Sequence, residues 1–159
     1  MLLNGVQHVA VLTADTARLV EFYEGVFEAT VGGQGVHNDE MSLTFIDIGP
    51  FNELNVFEFK GNDTATKQAP MFERGRLDHM GLRAASLEAF DTIRERLIER
   101  KSTDGFVTDF GPALSLFFVD PDGLEGEVLV ENPNAQPGVF HPPGTPAPGY
   151  ERVLDLGRS

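Results

Sequence analysis

An internal repeat is the feature of this sequence that most constrains its fold. His8 and His79 each lie in a short apolar run, and the two histidines are 71 positions apart. The candidate helix N-caps that follow them, Asp15 and Ser86, are also 71 positions apart. Each apolar run has the pattern of a strand, and each cap precedes an amphipathic helical pattern. The chain is therefore predicted to contain two copies of one structural unit.

Each copy is predicted to consist of one strand, one helix and then three strands. After the caps, apolar side chains recur at helical spacing in residues 17–27 and 87–98. Seven strands are placed by apolar pattern and flanking turn residues, at about 5–13, 41–48, 54–60, 77–84, 106–110, 114–119 and 126–130. The remaining strand of the first copy is assigned no range. The glycine-rich run at 32–35 is predicted to be a turn.

Composition shifts divide the chain into four segments. Residues 1–60 form the first module, the polar stretch 61–76 forms a linker, and residues 77–131 form the second module. Residues 132–159 form a tail that holds six of the ten prolines. Proline removes a backbone donor and fixes φ, so this tail is predicted to be extended. Its apolar side chains predict that it docks on the body or on a partner subunit.

Charge and composition exclude several classes of partner and site. The net charge of −13 argues against nucleic acid and against an anionic membrane surface, because both need a basic face. The chain has no cysteine, so disulfides and thiolate metal sites are excluded. No apolar run approaches the roughly 20 residues of a membrane span. The start of the sequence also lacks the pattern of a signal peptide, so a cytoplasmic location is expected.

Two glutamates complete the repeat and predict a metal site. Glu58 and Glu127 lie in apolar strands near the end of each copy, 69 positions apart. A single strand histidine is more often structural than a ligand, and a single glutamate is more often solvated. Four such residues at matching places favour a site for one divalent ion, Ni, Co, Zn, Mn or Fe. The other two histidines, His37 and His141, lie in loop-like stretches and are expected to be solvated.

The same residues resemble the vicinal oxygen chelate superfamily, which includes glyoxalase I, extradiol dioxygenases and proteins of fosfomycin and bleomycin resistance. Three stretches carry the resemblance: Gln7-His8-Val9-Ala10-Val11, Leu77-Asp78-His79-Met80-Gly81-Leu82 and Asp120-Pro121-Asp122-Gly123. In the last of these, Glu127 follows four residues after the glycine, as the family's ligand glutamate does.

The resemblance implies an α+β fold of two βαβββ modules, whose curved sheets surround a central metal cavity. It maps the metal ligands onto His8, Glu58, His79 and Glu127. It further implies a homodimer that acts on a small-molecule substrate. The Pro-rich tail lies outside the matched region.

Three functions follow as alternatives. In the first, a glyoxalase-type lyase or isomerase, the metal polarises a carbonyl and stabilises an enediolate while Glu127 or Glu58 transfers the proton. Arg83 could meet an anionic substrate group, although a surface salt bridge is the plainer interpretation. In the second, an Fe(II) dioxygenase cleaves a catechol-like diol. In the third, a non-catalytic protein binds a small hydrophobic molecule or antibiotic.

Overall fold

The computed structural model describes residue 2, residues 4–75 and residues 77–156. The chain forms two compact units. Unit 1 comprises the described residues up to Gln68 together with Pro121–Gly123, and unit 2 comprises the described residues of Ala69–Asp120 and those from Leu124 onward. The last position of the predicted linker, 76, and the last three of the predicted tail, 157–159, lie outside the described residues, as do positions 1 and 3.

Unit 1 contains one helix and a four-stranded sheet. Its elements are β1 (His8–Leu12), α1 (Thr16–Phe27), β2 (Thr30–His37), β3 (Met41–Gly49) and β4 (Asn52–Phe59). The strand order across the sheet is β1-β4-β3-β2. Strands β1 and β4 are parallel, and the other neighbours are antiparallel.

Unit 2 repeats this arrangement. Its elements are β5 (Met80–Arg83), α2 (Leu87–Glu99), β6 (Val107–Asp109), β7 (Ala113–Val119) and β8 (Glu125–Glu131). The strand order is β5-β8-β7-β6, again with the first pair parallel. The predicted α+β fold of two βαβββ modules is confirmed.

Both helices begin at the predicted caps. The side chain of Asp15 accepts a hydrogen bond from the amide of Arg18 (3.0 Å), and that of Ser86 accepts one from the amide of Ala89 (3.1 Å). Each helix then buries its apolar side chains against its own sheet. The core of unit 1 is formed by Leu19, Phe22, Tyr23, Val26, Ile46, Leu54 and Val56; that of unit 2 by Phe90, Leu97, Val107, Leu116, Phe118 and Val128.

The glycine-rich run at 32–35 is part of strand β2, so the prediction of a turn there is wrong. β2 pairs with β3 in a register that is interrupted twice. A Cβ on Gly32 would lie 2.9 Å from Oδ2 of Asp47, and one on Gly35 would lie 3.1 Å from Cδ2 of Leu43. The glycines therefore leave room for side chains of β3 to lie over the edge strand. The local pattern hid the strand because it carries few apolar residues.

The Pro-rich tail packs along strand β6 of unit 2. Val107 donates its amide hydrogen to the carbonyl of Tyr150 (3.2 Å) and accepts one from Ala147 (3.0 Å). Thr108 and Pro146 form an isolated antiparallel bridge. The tail thus pairs with an otherwise open sheet edge. In the described part of the chain, no helix is long and apolar enough to cross a membrane.

The second aspartate of the Asp-Pro-Asp-Gly turn has a structural role in unit 1. Asp122 is 3% exposed. Its carboxylate accepts hydrogen bonds from the Thr13 hydroxyl (2.6 Å), the Ala14 amide (3.3 Å) and the Arg18 guanidinium (2.7 Å). These contacts satisfy a buried charge, which would otherwise be costly. They also hold the segment that leads from β1 into α1.

Candidate metal centre

His79 and Glu127 lie side by side in unit 2. The register of the parallel pair β5–β8 places Gly81 opposite Glu127. His79 precedes Gly81 by two residues, so the imidazole and the carboxylate project from the same face. Nε2 of His79 is 3.1 Å from Oε2 of Glu127. The structure therefore brings together two of the four residues predicted as ligands.

Neighbouring side chains hold this pair in place. Nδ1 of His79 is 2.6 Å from Oδ2 of Asp78, and the Ser115 hydroxyl donates a hydrogen bond of 2.9 Å to Oε1 of Glu127. The hydrogen bond with His79 lowers the pKa of Asp78, as does the bond from the Phe72 amide. Glu127 is only 9% exposed. Asp78 and Ser115 were not predicted, because their role depends on contacts that sequence spacing does not show.

The donor chemistry of this group fits a divalent metal. A carboxylate that binds Nδ1 of a histidine leaves Nε2 as the coordinating nitrogen, an arrangement common around metal-bound histidines. Oε2 of Glu127 lies 3.1 Å from that nitrogen, so one divalent ion would be within reach of both atoms. Among the described residues, no three His, Asp or Glu side chains converge closely enough to enclose an ion.

Two phenylalanines pack against His79. The rings of Phe72 and Phe117 each meet the imidazole edge-on, with centroids 6.1 Å away. Both rings also line a cavity of ≈ 310 Å³ within unit 2. This cavity is large enough for a small aromatic molecule. His79 therefore has one side that contacts polar carboxylate groups and one apolar side.

In unit 1, the structure does not bring His8 and Glu58 together. His8 lies opposite Glu53 in the β1–β4 pair, and its Nδ1 is 2.5 Å from Oε1 of Gln7. Glu58 lies five residues further along β4 and on the other face of the sheet, the face that packs on α1. Its Oε2 accepts hydrogen bonds from the amide (2.8 Å) and hydroxyl (2.6 Å) of Thr16, the first residue of α1.

The residue of unit 1 that corresponds to Glu127 is Asn55. Asn55 lies opposite Ala10, and Ala10 follows His8 by two residues. In the same way, Glu127 lies opposite Gly81, and Gly81 follows His79 by two residues. Its side-chain carbonyl oxygen is buried and has no hydrogen-bond partner in the described structure. Spacing alone favoured Glu58. The alternation of side chains along β4, however, places Glu58 on the opposite face of the sheet from His8. Glu58 shares its face with the buried Val56, whereas Glu127 points away from the buried Val128.

Arg83, the predicted substrate-binding residue, forms a surface ion pair. Its Nη2 is 2.5 Å from Oε1 of Glu131, and both side chains are largely exposed. Such a pair contributes little to stability. This placement matches the plainer of the two interpretations that its position on β5 allowed.

Comparison with known proteins identifies the family. The sequence profile of the Glyoxalase/Bleomycin resistance protein/Dioxygenase superfamily matches residues 5–128. Among curated proteins, the "Putative ring-cleaving dioxygenase MhqA" of Bacillus subtilis (strain 168) is 29% identical over 130 residues, which are 77% of this chain and 39% of that protein. The chain thus spans well under half of that relative's length.

Solved structures share the fold at low sequence identity. A glyoxylase/bleomycin resistance protein/dioxygenase domain from Frankia sp. EAN1pec is 21% identical, with a TM-score of 0.66 over 82% of this chain and 94% of that one. The fosfomycin resistance protein FosX of Listeria monocytogenes, solved with Mn(II) and sulfate, is 15% identical, with a TM-score of 0.57 over 82% and 95%. The chain belongs to the Glyoxalase/Bleomycin resistance protein/Dioxygenase superfamily.

Proposed function

We propose that this chain is an Fe(II)-dependent dioxygenase that cleaves a catechol-like aromatic diol, with His8, His79 and Glu127 as the metal ligands. Two imidazoles and one carboxylate are the donor set typical of non-haem Fe(II) oxygenases. The observation that carries the proposal is the identity of the residue that occupies, in unit 1, the position that Glu127 occupies in unit 2. It is Asn55, so the repeat supplies one carboxylate instead of the two of the glyoxalase I arrangement.

The support differs between the three ligands. The contact of His79 with Glu127 supports those two residues directly. His8 is supported by its position in the repeat, since it stands in the same relation to β4 as His79 does to β8. The resemblance to a protein named as a ring-cleaving dioxygenase favours the same activity. Glu58 is left out of the ligand set because Thr16 engages its carboxylate on the opposite face.

The surrounding side chains would prepare the site for this chemistry. Bound Fe(II) would supply activation of the diol and of O₂. Asp78 fixes the tautomer of His79, and Ser115 orients the carboxylate of Glu127. Phe117 and the largely exposed Phe72 pack edge-on against His79 and offer apolar surface to an aromatic ring. Both atoms of O₂ would enter the product as one carbon–carbon bond of the ring breaks, so no external reductant is needed.

The test is oxygen consumption by the reconstituted protein. Protein loaded anaerobically with Fe(II) is expected to consume about one O₂ per molecule of 4-methylcatechol, with loss of the aromatic absorbance. His79→Ala should lose both iron and activity, whereas His37→Ala, a histidine outside the site, should keep both. An iron-loaded protein that consumes no O₂ with 4-methylcatechol, 3-methylcatechol or catechol would overturn the proposal.

A glyoxalase-type isomerase is the second candidate, and the amide of Asn55 is the observation that favours it. Within the described residues its buried carbonyl oxygen has no hydrogen-bond partner, so it could act as a neutral donor where the glyoxalase site has a carboxylate. Glu127 would then transfer the proton of the substrate. The Ni(II)- or Zn(II)-loaded protein would convert α-keto hemithioacetals to thioesters without consuming O₂. Glu127→Gln would retain metal but lose that activity.

A further inference from the structure

The cavity beside His79 is built from two parts of unit 2. One part is the body of the unit, which contributes Phe72 and Phe117, the same two rings that pack on His79. The other part is the C-terminal tail, which contributes Arg152, Leu154 and Leu156 among its residues. A molecule in this cavity would therefore touch the tail on one side and the phenylalanines next to the candidate ligand on the other.

Several contacts hold the tail in this position. The Tyr150 hydroxyl donates a hydrogen bond of 2.6 Å to Asp91 of α2, and the guanidinium of Arg94 lies 5.4 Å from the centre of the Tyr150 ring. The backbone amide of Leu154 donates to the carbonyl of Asp104 (3.2 Å). Nε of Arg152 is 2.7 Å from Oδ2 of Asp104. The tail therefore forms one wall of the cavity and is held there by specific contacts with the body of unit 2.

The charges around the cavity disfavour an anionic ligand. Three carboxylates line it, those of Asp104, Glu125 and Asp155. The guanidinium of Arg152 already bonds to Asp104, and Arg74 bonds to Glu125 at 2.6 Å. The remaining lining is mostly apolar. An added carboxylate on the ligand would lose hydration without gaining a free cation.

We propose that the tail residues lining this cavity, Arg152, Leu154, Asp155 and Leu156, determine the substrate specificity of this site, and that the cavity takes a neutral, apolar substituent on an aromatic ring. The assignment of the occupant as part of a substrate rests on the proposed function. The wall itself is made by residues beyond the family match, which ends at residue 128. Leu154 and Leu156 supply its apolar surface.

The test uses a ligand that binds without metal. Chelator-treated protein is titrated calorimetrically with 4-tert-butylphenol and with 4-hydroxybenzoate, which is anionic. The wild type is expected to bind the neutral phenol at least about tenfold more tightly than the benzoate. Leu154→Asp should weaken phenol binding by at least about tenfold, because it places a charge in the apolar wall. Val153→Asp is the matched control, since Val153 is 54% exposed and does not line the cavity.

Each outcome decides for or against the proposal. Equal affinity of Leu154→Asp and wild type, equal affinity for the two probes, or no phenol binding by the wild type would overturn it. If Leu154→Asp does not fold, Leu154→Ala removes apolar surface from the same wall and is expected to weaken phenol binding by at least about threefold. Unchanged phenol affinity in folded Leu154→Ala would overturn the proposal. Tail-dependent phenol binding without oxygenase activity would contradict the proposed function alone. Oxygenase activity without phenol binding would contradict this inference alone.

Discussion

At the scale of single residues, His79 has a neighbour for each ring nitrogen. Asp78 engages Nδ1 and Glu127 approaches Nε2. The first contact fixes the tautomer and the second marks the direction in which a metal would bind. In the proposed site, the carboxylate of Asp78 would position His79 without touching the metal.

Replacing Asp78 with Asn should weaken metal binding while leaving the fold intact. Loss of the carboxylate that orients a metal-bound histidine typically lowers metal affinity by about 10–100-fold. The measurement is the dissociation constant of Mn(II) or Fe(II) from competition with a chelating dye. Asp63→Asn is the control, because Asp63 is an exposed partner of Lys67 in unit 1. Unchanged affinity in Asp78→Asn would show that Asp78 does not support a ligand.

Replacing Asn55 with Leu should stabilise the metal-free protein. A buried polar atom without a partner costs about 1–3 kcal/mol, and an apolar side chain of similar shape removes that cost. We therefore expect the free energy of unfolding in urea to rise by about 1 kcal/mol. Asn52→Leu, on the same strand, should lower it, because the Asn52 side chain donates to the carbonyl of Val6. A marked loss of stability in Asn55→Leu would mean that its amide has a partner.

Sequence spacing paired two residues that the structure brings together in one copy of the repeat, and two that it does not bring together in the other. It paired His79 with Glu127, which the register brings together. In the first copy it selected Glu58, because that was the glutamate at a similar distance from His8. The strand register, which depends on long-range pairing, instead places Asn55 at the corresponding position. An uncharged residue gave no chemical signal for this role.

At the scale of elements, Glu58 belongs to the start of helix α1. Its carboxylate binds the amide and hydroxyl of Thr16, at the end of the helix where free amides favour a negative charge. Glu58→Ala is expected to lower the free energy of unfolding by about 1–2 kcal/mol without changing metal content. Denaturation in urea and elemental analysis of the same preparation measure both. Metal loss without destabilisation would instead make Glu58 a ligand.

The docking of the tail should depend on pH through Tyr150. Burial, together with the hydrogen bond to Asp91, raises the pKa of Tyr150 from 10.0 to about 12. The neutral phenol is therefore favoured in the folded state, and its contribution to stability is complete below pH 10 and lost between about pH 10 and 12. The ultraviolet difference titration between wild type and Tyr150→Phe measures this pKa. A phenolate that forms near pH 10 would contradict the docked position.

Elements with strong local signals were predictable and weakly patterned ones were not. Asp15 and Ser86 mark helix starts because a side-chain oxygen there satisfies free amides, which is a local effect. Strand β2 was missed because its glycines resemble a turn, and only the neighbouring β3 shows why they are needed. The path of the tail along β6 likewise depends on a tertiary contact.

At the scale of the whole molecule, the chain uses one structural unit twice with different chemistry. Both units have the same element order and the same parallel first pair of strands. In each unit, one residue of the last strand lies opposite the second residue after the histidine. This residue is Asn55 in unit 1 and Glu127 in unit 2. The repeat made the fold predictable, because it fixes the order of strands and helices. The difference between the copies determines the donor set that we propose.

Metal content of matched variants tests the central claim most directly. Wild type and Glu58→Gln, reconstituted with Fe(II) and freed of excess metal, are expected to hold about one ion per chain. His8→Ala, His79→Ala and Glu127→Ala should each hold less than about a tenth of that amount, because three ligands are needed to retain the ion. Full occupancy in any of these three variants, or loss of the ion in Glu58→Gln, would contradict the proposed ligand set of His8, His79 and Glu127.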